Sequence, residues 1–280
     1  MVAFALGVMP GTDMVAAADV IAGETGDVRA IPRLPARGIM SDAVGATCAL
    51  LPDAPVAAGP RSWRLEARPQ LITRRLWDQA ERDLDLLEAE WGSSGFTVQV
   101  AALGPWSLAA QVELPNGHLA VTDPGALHDL TEIVTYGLAE HASRLRRRFH
   151  GEVNIQVNEP LLAALNRGEI AGTNDFDVLR PIPAKELGER LHYVFESLPG
   201  RRLLGSGSRP LFDVARIAQP DAIIVPQSAL VGSELLDGCA ATLDAGIGVS
   251  LGCVTLGNDV DDARDVAIQI AQLFDELRMD

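Results

Sequence analysis

The chain has 280 residues, of which 48% are hydrophobic and 22% are charged, so it can bury a large core and is expected to form one domain over residues 1–280. Its formal net charge of -15 argues against nucleic-acid partners, because phosphate backbones are bound by concentrated Lys and Arg. No apolar run reaches the length of a membrane span, and no basic segment precedes an apolar run at the start. We therefore expect a soluble, cytoplasmic protein that binds neither nucleic acid nor membrane.

The N-terminal third of the sequence predicts a strand, two helices and two irregular stretches. A strand over residues 2–8 breaks at Pro10-Gly11, and Thr12 or Asp13 can cap a helix that ends at Ile21. The Pro-rich residues 31–37 predict a loop, and a helix over residues 42–51 follows. Residues 52–69 are predicted to be irregular.

Helices and strands alternate through the remaining sequence. The helical patterns cover residues 76–91, 123–148, 187–198, 211–218, 230–243 and 260–277. The strand patterns cover residues 97–103, 153–158, 202–204, 222–225 and 246–256. Repeated strand-helix units predict parallel strands with helices outside, which leaves a barrel or an open doubly wound sheet. The sequence has no Gly-x-Gly-x-x-Gly or P-loop pattern after any strand, so a nucleotide-binding open sheet has little support.

The cysteines, the histidines and the basic run give no sign of a metal or anion site. Three cysteines without Cys-x-x-Cys spacing favour reduced thiols, and they are Cys48, Cys239 and Cys253. The five histidines lack ligand spacing and are expected mostly at the surface, at positions 118, 128, 141, 150 and 192. The basic run from Arg144 to Arg148 ends an acidic helix, where cations complement the helix dipole, so a structural role is predicted.

The strand over residues 153–158 carries a column of amides. Asn154, Gln156 and Asn158 alternate with three apolar residues, so they share one face. In a barrel that face points into the lumen, where buried amides need hydrogen-bond partners. Glu159 follows at the carboxyl end of the strand, where barrel ligand sites lie. Two interpretations remain open: a polar core network with Glu159 exposed on a loop, or a ligand site that includes Glu159.

Three short motifs in this order resemble the cobalamin-independent methionine synthase family. Residues 156–160, Gln-Val-Asn-Glu-Pro, resemble its Gln-x-Asp-Glu-Pro element, whose Asp helps to bind the amino group of homocysteine. Residues 6–13 resemble its opening Gly-Ser-x-Pro turn, and residues 103–107 resemble its Gly-Pro-x-Thr turn. Residues 251–254 are similar, more faintly, to a Leu-Gly-Val-Val strand of short bacterial relatives.

The resemblance implies a TIM (β/α)8-type barrel that is truncated or irregular at its C-terminal strand. The chain ends one helix after the strand predicted at residues 246–256, so the last barrel strand has no counterpart. A barrel without that strand exposes two sheet edges that invite pairing with another chain. We expect the gap to be filled by a strand from residues 56–65 or by association of two chains, as a homodimer or a complex with a homologue.

The family's zinc ligands do not occur at the matching positions. In the family, zinc binds the homocysteine sulfur through a His-x-Cys element, an acidic residue on the next strand and a C-terminal Cys. Here Leu203 to Ser206 stand in the place of His-x-Cys, and Gln227 stands near the expected acid. Asn158 replaces the Asp that binds the substrate, and Val8 replaces the turn Ser. No cofactor is therefore predicted, and zinc is expected only if the family's activity is retained.

These observations define a candidate site and three candidate functions. The ligand-binding residues implied are Gly7, Met9, Gly104, Trp106, Ser107, Gln156, Asn158, Glu159 and Gln227, with Glu159 as candidate catalytic acid or base. The ligand is expected to be a small molecule, such as an amino acid or a folate-like compound. The favoured function is a non-catalytic ligand-binding or partner subunit related to methionine and one-carbon metabolism. The alternatives are a metal-free lyase or decarboxylase of the wider uroporphyrinogen decarboxylase superfamily, and a zinc-dependent methyltransferase whose ligands come from elsewhere.

Overall fold

The structure is a computed structural model that describes residues 3–59, 62–93, 95–172, 179–252 and 263–277. Its strands, in chain order, are β1 (Val28–Ala30), β2 (Val56–Ala58), β3 (Trp63–Leu65), β4 (Thr97–Leu103), β5 (Val112–Glu113), β6 (Val153–Asn158), β7 (Arg201–Gly205), β8 (Ala222–Pro226) and β9 (Gly248–Gly252). Its α-helices are α1 (Met14–Glu24), α2 (Ala43–Cys48), α3 (Leu71–Trp91), α4 (Pro105–Ala109), α5 (Pro124–Phe149), α6 (Leu162–Arg167), α7 (Ala184–Ser197), α8 (Phe212–Ala218), α9 (Ser233–Asp244) and α10 (Ala263–Glu276).

The central sheet has six parallel strands in the order β1-β4-β6-β7-β8-β9 and curls into part of a barrel. Between consecutive strands of this sheet the chain passes through at least one α-helix, as parallel pairing requires. The expected α/β class and the truncated TIM-type barrel are confirmed. The register pairs Ala101 with Gln156 and Leu103 with Asn158, so the carboxyl ends of β4 and β6 lie side by side.

The two faces of β6 separate as the alternation predicts. Val153, Ile155 and Val157 are buried in the main hydrophobic core, between the sheet and the helices outside it. Gln156 and Asn158 lie on the inner face and line the lumen. The strand that the sequence singled out therefore separates an apolar outer layer from a polar inner one.

Three of the predicted helix starts, those of α1, α2 and α5, are confirmed by side-chain caps. The carboxylate of Asp13 accepts the backbone N–H groups of Val15 and Ala16 at the start of α1. Asp42 accepts the N–H of Gly45 in α2, and Asp123 begins α5 in the same way. These caps satisfy donors that the first turn of a helix leaves without partners.

The strand predicted at residues 2–8 is wrong. Among the residues described there, Val8 makes only an isolated parallel bridge to Arg33, beyond the end of β1. The segment instead enters the lumen, where Phe4 packs against Leu203, Ala222 and Ile224. Burial of an aromatic ring replaces strand pairing at this edge of the sheet.

Residues 56–58 and 63–65, predicted to be irregular, form strands, so that prediction is wrong. These strands do not fill the gap in the barrel, so the first of the two expected ways to fill it is wrong as well. β2 and β3 pair antiparallel, and β3 pairs parallel with β5 in a separate three-stranded sheet. Trp63 anchors this sheet, because its ring is buried and its indole N–H donates to Asp42 at 2.9 Å. Asp42, the N-cap residue of α2, thus holds the small sheet beside the barrel through this bond.

The C-terminal predictions are covered in part. β9 covers residues 248–252 of the strand predicted at 246–256, and α10 covers residues 263–276 of the helix predicted at 260–277. Residues 253–262, with Cys253, lie outside the described residues. No helix in the described ranges combines the length and apolarity needed to cross a bilayer.

The basic run lies in the last turns of α5, as predicted, and it also forms ion pairs that the sequence did not predict. Arg148 forms ion pairs with Glu81, Asp85 and Glu88, which lie along one side of α3. Arg144 also pairs with Glu81, at 3.0 Å. The run therefore fastens α5 to α3.

Candidate functional site

A cavity of about 390 Å³ lies inside the curved sheet, at the carboxyl ends of its strands. The last residues of five strands line it, and they are Leu103, Asn158, Gly205, Pro226 and Gly252. The N-terminal segment closes one side through Gly7 and Val8. Barrel proteins bind ligands at this end, because the loops after the strands place side chains there without disturbing the core. We call this cavity the lumen pocket.

A chain of three amides forms the polar wall of the lumen pocket. Gln99 donates through Nε2 to Oε1 of Gln156 at 2.8 Å, and Gln156 donates through Nε2 to Oδ1 of Asn158 at 2.8 Å. Gln99 also donates to the carbonyl oxygen of Ala5 at 3.3 Å. Since the oxygen of Asn158, a lining residue, already accepts a bond from Gln156, its NH2 group remains as the part of this amide that can donate. Two amides of the predicted column, Gln156 and Asn158, belong to this chain, and Gln99 of β4 takes part in place of Asn154.

Glycine makes room for this arrangement. A Cβ at position 205 would lie 2.2 Å from Oδ1 of Asn158, so only glycine lets the amide lie against β7. Gly7 has φ of +87°, a conformation that favours glycine, and a Cβ there would lie 3.0 Å from the carbonyl oxygen of Ile31. The conformation at Gly7 turns the chain from the lumen toward Arg33.

Arg33 is the charged residue among the described residues that line the lumen pocket. Its backbone N–H donates to the carbonyl of Gly7 at 2.7 Å, and its own carbonyl accepts the N–H of Met9 at 3.0 Å. The guanidinium donates to the carbonyl of Ser41 at 3.3 Å. Burial lowers the pKa of Arg33, and Asp42 acts in the opposite direction, but an Arg remains charged at neutral pH. The site therefore has a positive charge in a protein of strongly negative net charge.

Sequence reasoning missed Arg33 because β1 has only three residues and no recognisable alternation. The available signal was that Arg33 is the first basic residue after a Val-Arg-Ala run, within a Pro-rich loop. Ligand-binding residues of a barrel follow the carboxyl ends of its strands, and this rule singled out Glu159. If the Val-Arg-Ala run had been identified as a strand, the same rule would have made the residues after it candidate ligand-binding residues.

Glu159 lies on the other face of the sheet from the lumen pocket. Its side chain is 0% exposed, and its Oε1 and Oε2 accept the backbone N–H groups of Trp106 at 3.0 Å and Ser107 at 2.7 Å. Burial raises the pKa of Glu159 to about 7, against the lowering effect of the bonds from Ser107 and Trp106. A Cβ on Gly104 would lie 2.2 Å from Oε1. The carboxyl group therefore caps α4 in a space that only a glycine at position 104 leaves open.

Two more residues of the predicted site belong to this buried cluster. The indole N–H of Trp106 donates to the carbonyl of Leu187 at 3.1 Å, and the guanidinium of Arg190 lies 5.0 Å from the ring. The hydroxyl of Ser107 accepts the N–H of Leu161 at 3.1 Å. These bonds tie the loop after β4 to the loop after β6 and to α7.

The structure brings together only part of the predicted site. Three of its residues line the lumen pocket: Gly7, Gln156 and Asn158. Four lie in the buried cluster behind the sheet: Gly104, Trp106, Ser107 and Glu159. Met9 packs half-buried against the core, and Gln227 begins a short 3-10 turn just after the lining residue Pro226.

The positions implied for zinc do not fit a metal ion. Leu203 packs on Phe4, Gly205 has no side chain, and the hydroxyl of Ser206 donates to the carbonyl of Ile224 at 3.1 Å. Within the described ranges, no group of three or more His, Cys, Asp or Glu residues is arranged to hold a metal. One histidine departs from expectation, since His141 is 2% exposed, packed behind β4.

The chain is similar in structure to solved proteins with which it has low sequence identity. No protein-family model and no curated protein sequence matches the chain. A methyltransferase from Methanosarcina mazei is similar with a TM-score of 0.49 and 12% identity, over 94% of this chain and 84% of that one. A B12-independent methionine synthase from Shewanella sp. W3-18-1, in complex with selenomethionine, is similar with a TM-score of 0.48 and 14% identity. That match covers 76% of this chain and 59% of the synthase.

Proposed function

We propose that the chain is a small-molecule-binding barrel protein of the methionine synthase-like type, and that its ligand carries a carboxylate. The observation behind this proposal is that Arg33 and Asn158 both line the lumen pocket, and that Oδ1 of Asn158 already accepts from Gln156, which leaves its NH2 group to donate. A carboxylate accepts from both, whereas an ammonium group would face donors only. Amino acids and folate-like molecules, the classes that the sequence motifs imply, both carry carboxylates.

The size and charge of the pocket support this ligand class. A volume of about 390 Å³ lies within the usual range of small-molecule sites. Most of the lining is apolar or small, so a cation there is only partly screened by water. A hydrogen bond to a charged group in such a place contributes about 1.5–3 kcal/mol, or roughly ten- to a hundredfold in affinity.

We assign Glu159 a structural role and no catalytic one. Both of its oxygens accept backbone N–H groups, and it lies behind the strand that lines the pocket. A general acid or base must come within hydrogen-bond reach of a bound substrate. A binding role without acid-base catalysis by Glu159 agrees better with this position than a lyase or decarboxylase does.

Titration calorimetry with butyrate and with its neutral counterpart butyramide tests the proposal. We expect butyrate to bind more tightly than butyramide, and Arg33→Gln to weaken butyrate roughly ten- to a hundredfold while butyramide changes little. Arg201→Gln is the matched control, because it removes the same charge from an exposed position at the amino end of β7. Equal affinity for the two probes, or an unaltered affinity in Arg33→Gln, would refute the proposal.

Metal analysis separates this function from a zinc methyltransferase. We expect the purified protein to contain less than stoichiometric zinc, since the implied ligand positions hold Leu203, Gly205 and Gln227. Stoichiometric zinc that resists dialysis against a weak chelator would favour the methyltransferase instead.

A further inference from the structure

A second cavity, of about 90 Å³, adjoins the lumen pocket and lies between α3 and β4. The loop after β1 forms one wall of it, within residues 31–41. Four residues line both cavities, and they are Ile31, Arg33, Ala46 and Ala101. Three of the four are apolar, so Arg33 is the charged group that the two cavities share. We call the second cavity the side cavity.

The guanidinium of Arg33 has donors that the described residues leave unused. Nη1 donates to the carbonyl of Ser41 at 3.3 Å, and Ser41 lines the side cavity but not the lumen pocket. Nε and Nη2 have no acceptor among the described residues, and neither belongs to the unpartnered side-chain nitrogens that are sealed from solvent. Asp42 acts on Arg33 through its charge, without forming an ion pair in the described ranges. Charged N–H groups that solvent can reach are therefore left for a ligand.

The charges around the side cavity leave one positive charge without a counter-charge. Arg37 and Asp83, which also line it, form an ion pair with bonds of 2.8 and 2.9 Å, so their charges cancel. His141 is neutral at pH 7, because burial and the charge of Arg144 lower its pKa to about 3. The charge that remains in the described lining is that of Arg33. A guest with one negative charge balances it, whereas a neutral guest does not.

The other walls favour a short guest with an apolar end. They are mainly apolar, with Met14, Leu76, Leu84 and Val100 among them. An apolar cavity of about 150 Å³ takes benzene, so a cavity of about 90 Å³ suits a guest of about four non-hydrogen atoms. Acetate is of this size and has both a carboxylate and a methyl group.

We propose that the side cavity binds a short-chain carboxylate of about the size of acetate. Its oxygens accept from the guanidinium of Arg33, and its methyl group lies against the apolar walls. The site exists whether or not the lumen pocket binds a ligand. Because one guanidinium lines both cavities, a carboxylate in the side cavity should weaken the binding of a carboxylate in the lumen pocket, and this consequence alone rests on the proposed function.

Acetate and acetamide test the proposal, because they have the same shape and only acetate is charged. In NMR titrations the methyl groups of Leu76 and Leu84 report on the side cavity, which they line without lining the lumen pocket. We expect acetate to shift them, with acetamide binding about tenfold more weakly or less. Arg33→Gln should remove the preference for acetate.

Two matched variants locate the site and keep the test decisive if Arg33→Gln does not fold. Ala80→Leu adds volume at a half-buried position of the side cavity and should abolish the response of Leu76 and Leu84 to acetate. Ala43→Leu makes the same change at a half-buried position of the lumen pocket and should retain that response.

Three outcomes would overturn the proposal. They are equal binding of the two probes, a response of Leu76 and Leu84 that survives in Ala80→Leu, and acetate shifts confined to Leu103 and Ile224, which line the lumen pocket alone.

Butyrate distinguishes this site from the proposed function. Acetate should weaken the butyrate response of Leu103 and Ile224, and the weakening should be smaller in Ala80→Leu. Butyrate binding that acetate at the side cavity leaves unchanged would show that the two cavities do not share the guanidinium. If butyrate does not bind at all, the proposed function fails, and the response of Leu76 and Leu84 to acetate still decides whether the side cavity binds carboxylates.

Discussion

The carboxylate of Glu159 accepts the backbone N–H of Ser107 at 2.7 Å, so the residue after one barrel strand caps the helix after the neighbouring strand. A second bond, from the N–H of Trp106 to the other carboxylate oxygen, completes the cap. The loops at the carboxyl ends of β4 and β6 are thereby joined behind the sheet. This joint, and not a substrate contact, accounts for the complete burial of Glu159.

Glu159→Gln should destabilise the protein in a pH-dependent way. The amide can accept only one of the two N–H groups, so we expect a loss of about 1–3 kcal/mol. The folded pKa of about 7 exceeds the ordinary value of 4.5, so Glu159 contributes stability that is complete below pH 4.5 and is lost as the pH rises to about 7. The cost of the substitution should therefore shrink over that interval. Urea unfolding at a series of pH values measures it, with Glu90→Gln as an exposed control. A constant difference between the two proteins at every pH would contradict the raised pKa.

His141 should give the opposite pH dependence. Its folded pKa of about 3 lies below the ordinary value of 6.5, so its contribution is complete above pH 6.5 and is lost as the pH falls toward 3. The slope is at most about 1.4 kcal/mol per pH unit. His141→Phe should unfold with a weaker dependence on acid than the unaltered protein. If both lose stability equally between pH 6.5 and 4, the histidine is not the cause.

Together the two groups predict a flat stability profile in the unaltered protein. Between pH 4.5 and 6.5 the loss from His141 on acidification opposes the gain from Glu159. Each single variant should therefore reveal the slope of the remaining group, with opposite signs in the same pH interval.

Gly104→Ala should be strongly destabilising, although it adds one methyl group. The new Cβ would lie 2.2 Å from Oε1 of Glu159 and 2.7 Å from a methyl carbon of Val157, both held in the core. We expect a loss of about 1–3 kcal/mol in urea unfolding. Gly23→Ala in α1 is the matched control, since nothing lies near its Cβ, and it should be stabilising by about 0.4–1 kcal/mol. Similar effects of the two substitutions would show that the loops relax around Gly104.

Phe4→Ala tests whether the N-terminal segment stabilises the protein by packing in the lumen. The ring packs on Leu203, Ala222 and Ile224, and we expect its removal to cost about 2 kcal/mol, less than a fully buried Phe. Leu71→Ala, at an exposed position, should change the free energy of unfolding by less than about 0.5 kcal/mol. Equal small effects would show that Phe4 does not stabilise the lumen.

The oligomeric state stays a prediction. We expect light scattering after size exclusion to give a dimer, because an open parallel sheet presents edge strands that favour pairing. A monomer at every concentration tested would contradict this expectation.

The long elements were predictable because their patterns are strong. β4 and β6 have the predicted bounds, since each alternates or runs apolar over six residues or more. β1, with three residues, carries no such pattern, and α4 and α6 are single turns held by tertiary contacts. Their local sequences do not distinguish them from loops.

The sequence correctly placed the amides of β6 in the lumen pocket, but it did not predict the position of Glu159 or the presence of Arg33. The alternation of β6 correctly placed Gln156 and Asn158 in the lumen, and the same alternation continued by one residue places Glu159 outside. Arg33 could have been predicted as a site residue only if β1 had been recognised, and β1 is too short for that. Non-local packing of the N-terminal segment, which brings Gly7 to that residue, has no signal in the sequence near Arg33.

The amide chain of the lumen also has a direction, and this direction selects among ligands. Gln99 donates to Gln156 and Gln156 donates to Asn158, and the carbonyl of Ala5, which accepts from Gln99, fixes the first amide of the series. To present an oxygen to a cationic guest, all three amides would have to reverse, which would set the oxygen of Gln99 against that carbonyl. The carbonyl oxygen of Ala5, at the far end of the amide chain, thus determines that the chain presents a donor and not an acceptor to the pocket.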